Sequence, residues 1–307
     1  MIIPFAAEHV PAAADLLVAR HELHRSQAPL LRPLDHDGAV AAIEALLAVE
    51  GTTGAAAVEG SQLAGYLLGS RRGEEMWGHS TWVEAAGCAG DRLRELWAFA
   101  AAPWLAEGRR AQYALVPPFL VPELFSLGFG LQHVHAAKPV PRPSPPDPRV
   151  RRATRADIPA LARVDVSFHE HLVSSPVFSG LTVTTYAAAV QEWEEDFDDP
   201  AFAVLVAEVD AAVVGTAIGC DISKSPANAG LLAPTPAAHL AFAAVLPDAR
   251  GRGLGTALAA AVEAWAHAEG YPVICTDWRA ANLEADRTWS GRGYAHTFLR
   301  LHRLVGH

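Results

Sequence analysis

The stretch His239-Leu240-Ala241-Phe242-Ala243-Ala244-Val245-Leu246-Pro247-Asp248-Ala249-Arg250-Gly251-Arg252-Gly253-Leu254-Gly255-Thr256-Ala257-Leu258 changes character twice. An apolar run reads as a strand, Pro247-Asp248 turns the chain, and three alternating glycines lead into a helix. On that helix Leu254, Leu258, Ala261, Val262 and Trp265 fall at i, i+4, i+7, i+8 and i+11, one apolar face, and Gly270 marks its end. A glycine-rich turn entering a helix is an anion site. The first N–H groups have no partners within the helix, and the dipole favours negative charge there. Glycines admit close approach, and Arg250 and Arg252 add many-donor cations suited to phosphate oxygens. The same glycines also fit a tight strand-to-helix turn with no ligand. The Gly251-x-Gly253-x-Gly255 spacing is not the G-x-G-x-x-G of dinucleotide sites, and no P-loop Lys-Ser/Thr follows.

Outward from this stretch, the second half predicts helices over about 158–170 and 184–196. A hairpin joins Phe202–Val209 to Val213–Ile218, and a strand runs over His239–Val245. After the helix at Gly255–His267 come a strand at Val273–Asp277, a helix at Leu283–Ser290 and a strand at Thr297–Val305. Antiparallel strands followed by a strand–helix–strand unit give an α/β (α+β) class: a mixed, mostly antiparallel sheet flanked by helices.

The first half repeats this plan. Glu8-His9-Val10-Pro11-Ala12-Ala13 matches Ala156-Asp157-Ile158-Pro159-Ala160-Leu161, with proline in the first turn of each helix. A hairpin around Glu59-Gly60-Ser61 and the pair Gly128-Phe129 match the later hairpin and Gly293-Tyr294. Between the halves, residues 138–148 hold six prolines in eleven positions, a stiff extended segment. The expected organisation is therefore a domain at 1–137, a linker at 138–148 and a domain at 149–307.

Composition narrows the partners. The 307 residues are 51% hydrophobic and 19% charged, enough apolar material for sizeable cores, and the formal net charge is -10. An acidic chain repels a phosphate backbone, so nucleic acid is not an expected partner. Cys88, Cys220 and Cys275 lie far apart and suggest neither a disulfide framework nor a metal site, which favours a cytoplasmic setting. No signal peptide and no membrane span is expected.

Arg250-Gly-Arg-Gly253-Leu-Gly255 resembles the Q/R-x-x-G-x-G/A signature of the GNAT (GCN5-related N-acetyltransferase) superfamily. Its flanks do too: Val245-x-Pro247 before it, and Asn282-x-x-Ala285-x-x-x-Trp289-x-x-x-Gly293-Tyr294 after it. The resemblance covers most of Val150–His307 and implies a tandem of two GNAT-like domains with acetyl-CoA as co-substrate and no metal. It implies that backbone groups of Ala243, Ala244 and Val245 pair with pantetheine, and that the Val245 N–H faces the thioester oxygen. Gly251, Arg252, Gly253, Leu254, Gly255 and Thr256, with Arg250, would hold the pyrophosphate. Asn282 would bond the pantetheine arm or a nearby backbone group, with Trp289 beside it.

The resemblance sets His239 where histone-acetylating members carry a glutamate base. An unperturbed imidazole titrates near 6.5, which suits taking a proton from an amine. The other reading of His239 is a packed strand-end histidine. Asp277 is the second base candidate. Trp289 stands where many relatives have a tyrosine acid, and indole cannot supply a proton, so the acid step is open. Cys275 is expected in the core. For the acceptor, Glu170, His171 and Phe178 are the candidates. The acidic run Gln191–Asp199 either attracts an amine or is a solvated face.

In the first half the matching turn, Gly87-Cys88-Ala89-Gly90-Asp91-Arg92, lacks the motif arginine, and Asp91 would repel a pyrophosphate. One cofactor site is therefore expected, in the second half. Arg20, His24 and Arg25 are candidate ligand groups of the first. The leading functional reading is an N-acetyltransferase that passes an acetyl group directly to a small-molecule amine, as a monomer or homodimer. The alternatives are a non-catalytic acyl-CoA-binding module and a protein or peptide N-acetyltransferase.

Overall fold

In a computed structural model, which describes residues 1–72, 79–88, 92–225 and 233–306, the chain forms two compact units. The first comprises residues 1–134 and the chain's last strand, and the second lies between His135 and Ala295.

The first unit opens with β1 (Ile2–Pro4), α1 (Val10–Gln27) and α2 (His36–Leu47), followed by the meander β2 (Thr53–Glu59), β3 (Gln62–Arg72) and β4 (Ser80–Cys88). Then come α3 (Leu93–Ala106), β5 (Ala111–Val116), the short α4 (Val121–Phe125) and the start of β6 (Gly130–Pro139). The strand order is β1-β2-β3-β4-β5-β12, where β12 (Ala295–Leu304) is the chain's final strand. β4 and β5 run parallel, and the other pairs antiparallel. On α1, Val10, Ala13, Ala14, Leu17, His21 and His24 are buried, a helical stripe that meets Tyr66, Leu68 and Ala85.

The second unit repeats the order with β7 (Val150–Arg152), α5 (Ile158–Val173), α6 (Tyr186–Asp196), β8 (Ala203–Val209), β9 (Ala212–Asp221) and β10 (Ala238–Val245). α7 (Leu254–Ala268), β11 (Val273–Arg279) and α8 (Leu283–Gly291) complete it. The second part of β6 lies beside β11, and the order continues β10-β9-β8-β7. Asp157 closes the start of α5: its carboxylate accepts from the Thr154 N–H at 2.7 Å and from Arg151 at 2.7 Å. Those bonds hold the Asp157 carboxyl down at about 2. α7 packs tightly on β9 because Gly219 has no side chain; a Cβ there would lie 2.7 Å from the Trp265 ring.

Each unit is thus a mixed, mostly antiparallel sheet flanked by helices, as the patterning predicts. The division differs from a cut through the proline-rich segment, because the chain's last strand belongs to the first unit and β6 is divided between the two at His135. Local periodicity specifies that β6 and β12 are strands, but their pairing is non-local. The expected linker is shorter at its start as well. Lys138 and Pro139 finish β6, and Lys138 is buried against Glu263 at 2.7 Å. Arg292 pairs with the same carboxylate at 2.8 Å, which makes the triad costly to break singly.

Candidate active site

β10 and β11 pair in parallel at only three positions, Ala238↔Ile274, His239↔Cys275 and Leu240↔Thr276. A bulge between Leu240 and Phe242 then turns β10 away, while its pairing with β9 continues to Val245↔Gly215. The Leu246 N–H donates to the Val214 carbonyl at 2.8 Å, so alternate residues, Ala244 among them, face β9. The N–H and C=O of Ala243 and Val245 consequently face the opening between the strands.

A cleft of about 450 Å³ fills this opening and continues over the glycine turn. Ala243, Ala244, Val245, Arg250, Gly251, Gly253, Leu254, Gly255, Thr256, Asn282 and Trp289 line it. Val164, Ser167, Phe168 and His171 of α5 form its other wall. Phe168 also meets Phe242, with ring centroids 4.7 Å apart.

The turn's glycines serve two different ends. Gly251 and Gly253 sit at φ +74° and +77°, and Gly253 is the N-cap of α7 with no side-chain cap. That left-handed conformation costs an L-residue roughly 1–2 kcal/mol. Gly255 has neither a positive φ nor a close neighbour; a Cβ there would meet only Val245 Cγ2, at 4.0 Å. The protein's own packing gives no reason for a glycine at 255. A ligand approaching the first N–H groups of α7 gives one, and the open strand edge continues from the same turn.

Two polar residues of the turn are engaged differently from expectation. Arg250 Nε donates to the Val245 carbonyl at 3.2 Å, and its Nη1 pairs with Glu284 at 3.3 Å, so it fastens the strand end to α8. Arg252 points Nη2 at the Asp248 carbonyl, 3.5 Å away, and does not line the cleft. Asn282 caps α8: its Oδ1 accepts from the Ala285 N–H at 3.1 Å, worth about 1 kcal/mol. Its amide nitrogen is left for the cleft it lines.

His239 differs from a base that faces an acceptor. It is 1% exposed and packed in the sheet, with Nε2 3.2 Å from Asp277 Oδ1 and Nδ1 buried without a partner among the described residues. Asp277 is the more open member at 14% side-chain exposure. Neither lines the cleft itself. The pairing follows from register. His239 stands opposite Cys275, and Asp277, two residues on, shares its face. Sequence spacing alone does not reveal this pair, because the two strands are joined through a helix.

The acceptor candidates divide. His171 lines the cleft. Glu170 is exposed, and Phe178 stands 72% exposed in the turn after α5, so neither is a wall of it. Glu170 falls off the helical stripe of Val164, Ser167, Phe168 and His171, and the helix ends at Val173, before Phe178. Val164 and Ser167 are the wall residues that sequence reasoning missed; their signal is the spacing of Val164, Ser167, Phe168 and His171 at i, i+3, i+4 and i+7. The Gln191–Asp199 run is largely exposed, with Asp198 paired to Arg155. Trp289 is 8% exposed and meets Tyr294 edge-on at 5.8 Å, a packed aromatic wall. Burial pushes the Cys275 thiol up to about 12, so it remains a protonated core group. No three metal-ligating side chains cluster among the described residues, and no described helix is long and apolar enough to cross a membrane.

The first unit holds a counterpart. β4 and β5 pair in parallel from Ser80↔Ala111 to Val83↔Ala114, and β4 then continues with β3 alone. A cleft of about 270 Å³ opens there. Leu16, Ala19, Arg20 and Leu23 line it, at the same steps from the start of α1 as Val164, Ser167, Phe168 and His171 from the start of α5. Arg20 takes the place of Phe168, and its Nη1 donates to the Ala86 carbonyl of β4. Gly90 and Asp91 of the matching turn lie outside the described residues.

Residues 167–294 match the model of the acetyltransferase (GNAT) family. No curated protein matches the chain in sequence. Among solved structures, a GCN5-related N-acetyltransferase from Sphaerobacter thermophilus is similar, at 15% identity over 99% of this chain and 95% of that one, with a TM-score of 0.61. A tandem GNAT protein from the clavulanic acid biosynthesis pathway, solved without AcCoA, is 14% identical over 100% of this chain and 99% of that one, with a TM-score of 0.53. At these identities the likeness is one of fold.

Proposed function

We propose that the chain is a tandem GNAT-superfamily protein with the family's domain in its C-terminal half, and that it is an acetyl-CoA-dependent N-acetyltransferase acting on a small-molecule amine. The observation that carries the reading is the continuity of the open β10 edge with a glycine turn whose Gly255 is left bare toward the cleft. Acetyl-CoA supplies an acyl group activated as a thioester.

In this reading the N–H groups of Gly251 to Thr256 and the start of α7 hold the pyrophosphate. Ala243 and Val245 pair with the pantetheine arm as a strand would. The Val245 N–H stabilises charge developing on the thioester oxygen as the amine nitrogen attacks and the carbon–sulfur bond breaks. Asn282 orients the arm. Asp277, set back from the cleft, takes the amine proton through a water, and His239, buried behind it, fixes the carboxylate through Nε2. The thiolate leaves with a proton from solvent, since Trp289 offers only an indole N–H. The α5 wall, His171 included, orients the acceptor amine.

The second reading, an acyl-CoA-binding module without turnover, rests on Trp289. Thiol release from acetyl-CoA separates the two. Release above background with at least one member of a small-amine panel supports the enzyme. Tight binding with no release from any amine or peptide favours the module.

A further inference from the structure

Asn282, Ala285, Thr288 and Trp289 line the second unit's cleft from the α8 side, at i, i+3, i+6 and i+7. Arg292, at i+10, continues that stripe past the last lining residue. Its Nη1 reaches the Thr256 carbonyl in the first turn of α7, 3.4 Å away, and Thr256 is itself a wall of the cleft. The guanidinium therefore stands beside the start of α7, at the end of the cleft away from the bulge in β10.

The charges around Arg292 do not balance. Its Nη2 and Nε donate to the two Glu263 oxygens at 2.8 and 3.3 Å, and Lys138 Nζ pairs with the same carboxylate at 2.7 Å. Lys138 and Glu263 are buried, and no second carboxylate pairs with either cation among the described residues. Two cations thus share one anion where water is scarce, an excess positive charge that a further anion would offset. Lys138 is enclosed by Glu263, the Arg292 carbonyl and the Tyr294 ring. Arg292 is the most open of the three, at 17% side-chain exposure. Its Nη1 carries two N–H groups and has one partner, the Thr256 carbonyl, among the described residues. The excess charge is therefore presented at that nitrogen.

We propose that Arg292 holds the phosphate on the ribose of CoA, and that the protein thereby distinguishes CoA from its dephospho form. The inference rests on the CoA reading of the glycine turn. With the pyrophosphate on the N–H groups of Gly251 to Thr256, the phosphorylated ribose lies one step farther out, on the side where Arg292 meets Thr256. A phosphomonoester dianion supplies the missing negative charge, and its oxygens suit the edge of a guanidinium.

Calorimetry of the full chain with CoA and with dephospho-CoA tests this. The parent should bind CoA about tenfold more tightly than dephospho-CoA, the loss expected for one charge-assisted contact. Arg292→Gln should weaken CoA about tenfold and change dephospho-CoA by less than about twofold, so that the preference disappears. Arg292→Lys keeps a charge for Glu263 and a second test should the first variant not fold. A lysine is a point charge without the fork, so the preference should fall to roughly threefold. Equal binding of the two ligands by the parent would overturn the assignment. So would an equal loss of both in Arg292→Gln, which would put the pyrophosphate on Arg292. Either result leaves the CoA site on the turn standing. Binding of neither ligand by the parent would overturn that reading and the assignment with it.

Discussion

The two units build the same opening and fill it differently. In each, a parallel strand pair ends early, and four residues at matching steps of the first helix cover the gap. In the second unit Phe168 stands aside against Phe242 and the strand edge stays open. In the first, the residue at the same step is Arg20, and it bonds the strand itself. The fold therefore preserves the cleft while the side chain at one step of the helix changes what faces it. The difference teaches that the repeat records architecture, and that chemistry must be read from the groups facing each opening.

The largest effect is expected where the second unit has polar groups that the first lacks. Asp277→Asn should lower kcat about a hundredfold, and His239→Gln about tenfold with a shifted acid limb in the pH–rate profile. A steady-state profile with both variants unchanged would remove the pair from the reaction. Next, Phe168→Arg gives the second unit the first unit's plug. CoA affinity by calorimetry should fall about tenfold, by roughly the loss of one or two strand-like hydrogen bonds. Unaltered affinity would show that Arg20 is not what closes the first cleft. Trp289→Tyr restores the hydroxyl many relatives carry, and kcat should rise only several-fold because a thiolate leaves readily. A rise above a hundredfold would make the missing acid the main barrier.

The smallest effect concerns stability, and it singles out the first unit. His24 is buried with Nε2 2.6 Å from the Thr297 carbonyl, and burial brings its imidazole down from 6.5 to about 4. The unfolded chain therefore binds more protons than the folded one between those values. Stability from His24 is present above pH 6.5 and is lost as pH falls toward 4. His21, on the same helix, is lowered in the same direction by burial. Thermal melts from pH 7 to 4.5 should show a fall in Tm of a few degrees, and a smaller fall in His24→Leu. An equal fall in both would clear His24 of the acid sensitivity.

Much of this was legible in the sequence. Helix and strand positions follow from period, the hairpin at Asp210-Ala211 from its neighbours, and the glycine turn at the start of α7 from Arg250–Gly255 between an apolar run and a helical pattern. Three things were not. The placing of β6 and β12 depends on pairing between distant segments, which local pattern does not encode. The His239–Asp277 pair depends on the register of two parallel strands separated by α7. The direction of Phe178 depends on where α5 stops, and helix ends are the least certain feature of a pattern. Arg250 shows a fourth limit. Its residue type suits a phosphate, yet its atoms are engaged with Val245 and Glu284.

The central claim is that the chain has one CoA site and that it lies on the turn containing Gly255. Gly255→Asp tests it most directly, because the position has no positive φ and open space, so the variant should fold with an almost unchanged Tm. Calorimetric titration of the parent with CoA should give one equivalent bound, and the variant should bind at least about a hundredfold more weakly, from blocked approach and charge repulsion at a helix N-terminus. Two equivalents in the parent, or one equivalent retained at full affinity in Gly255→Asp, would contradict it.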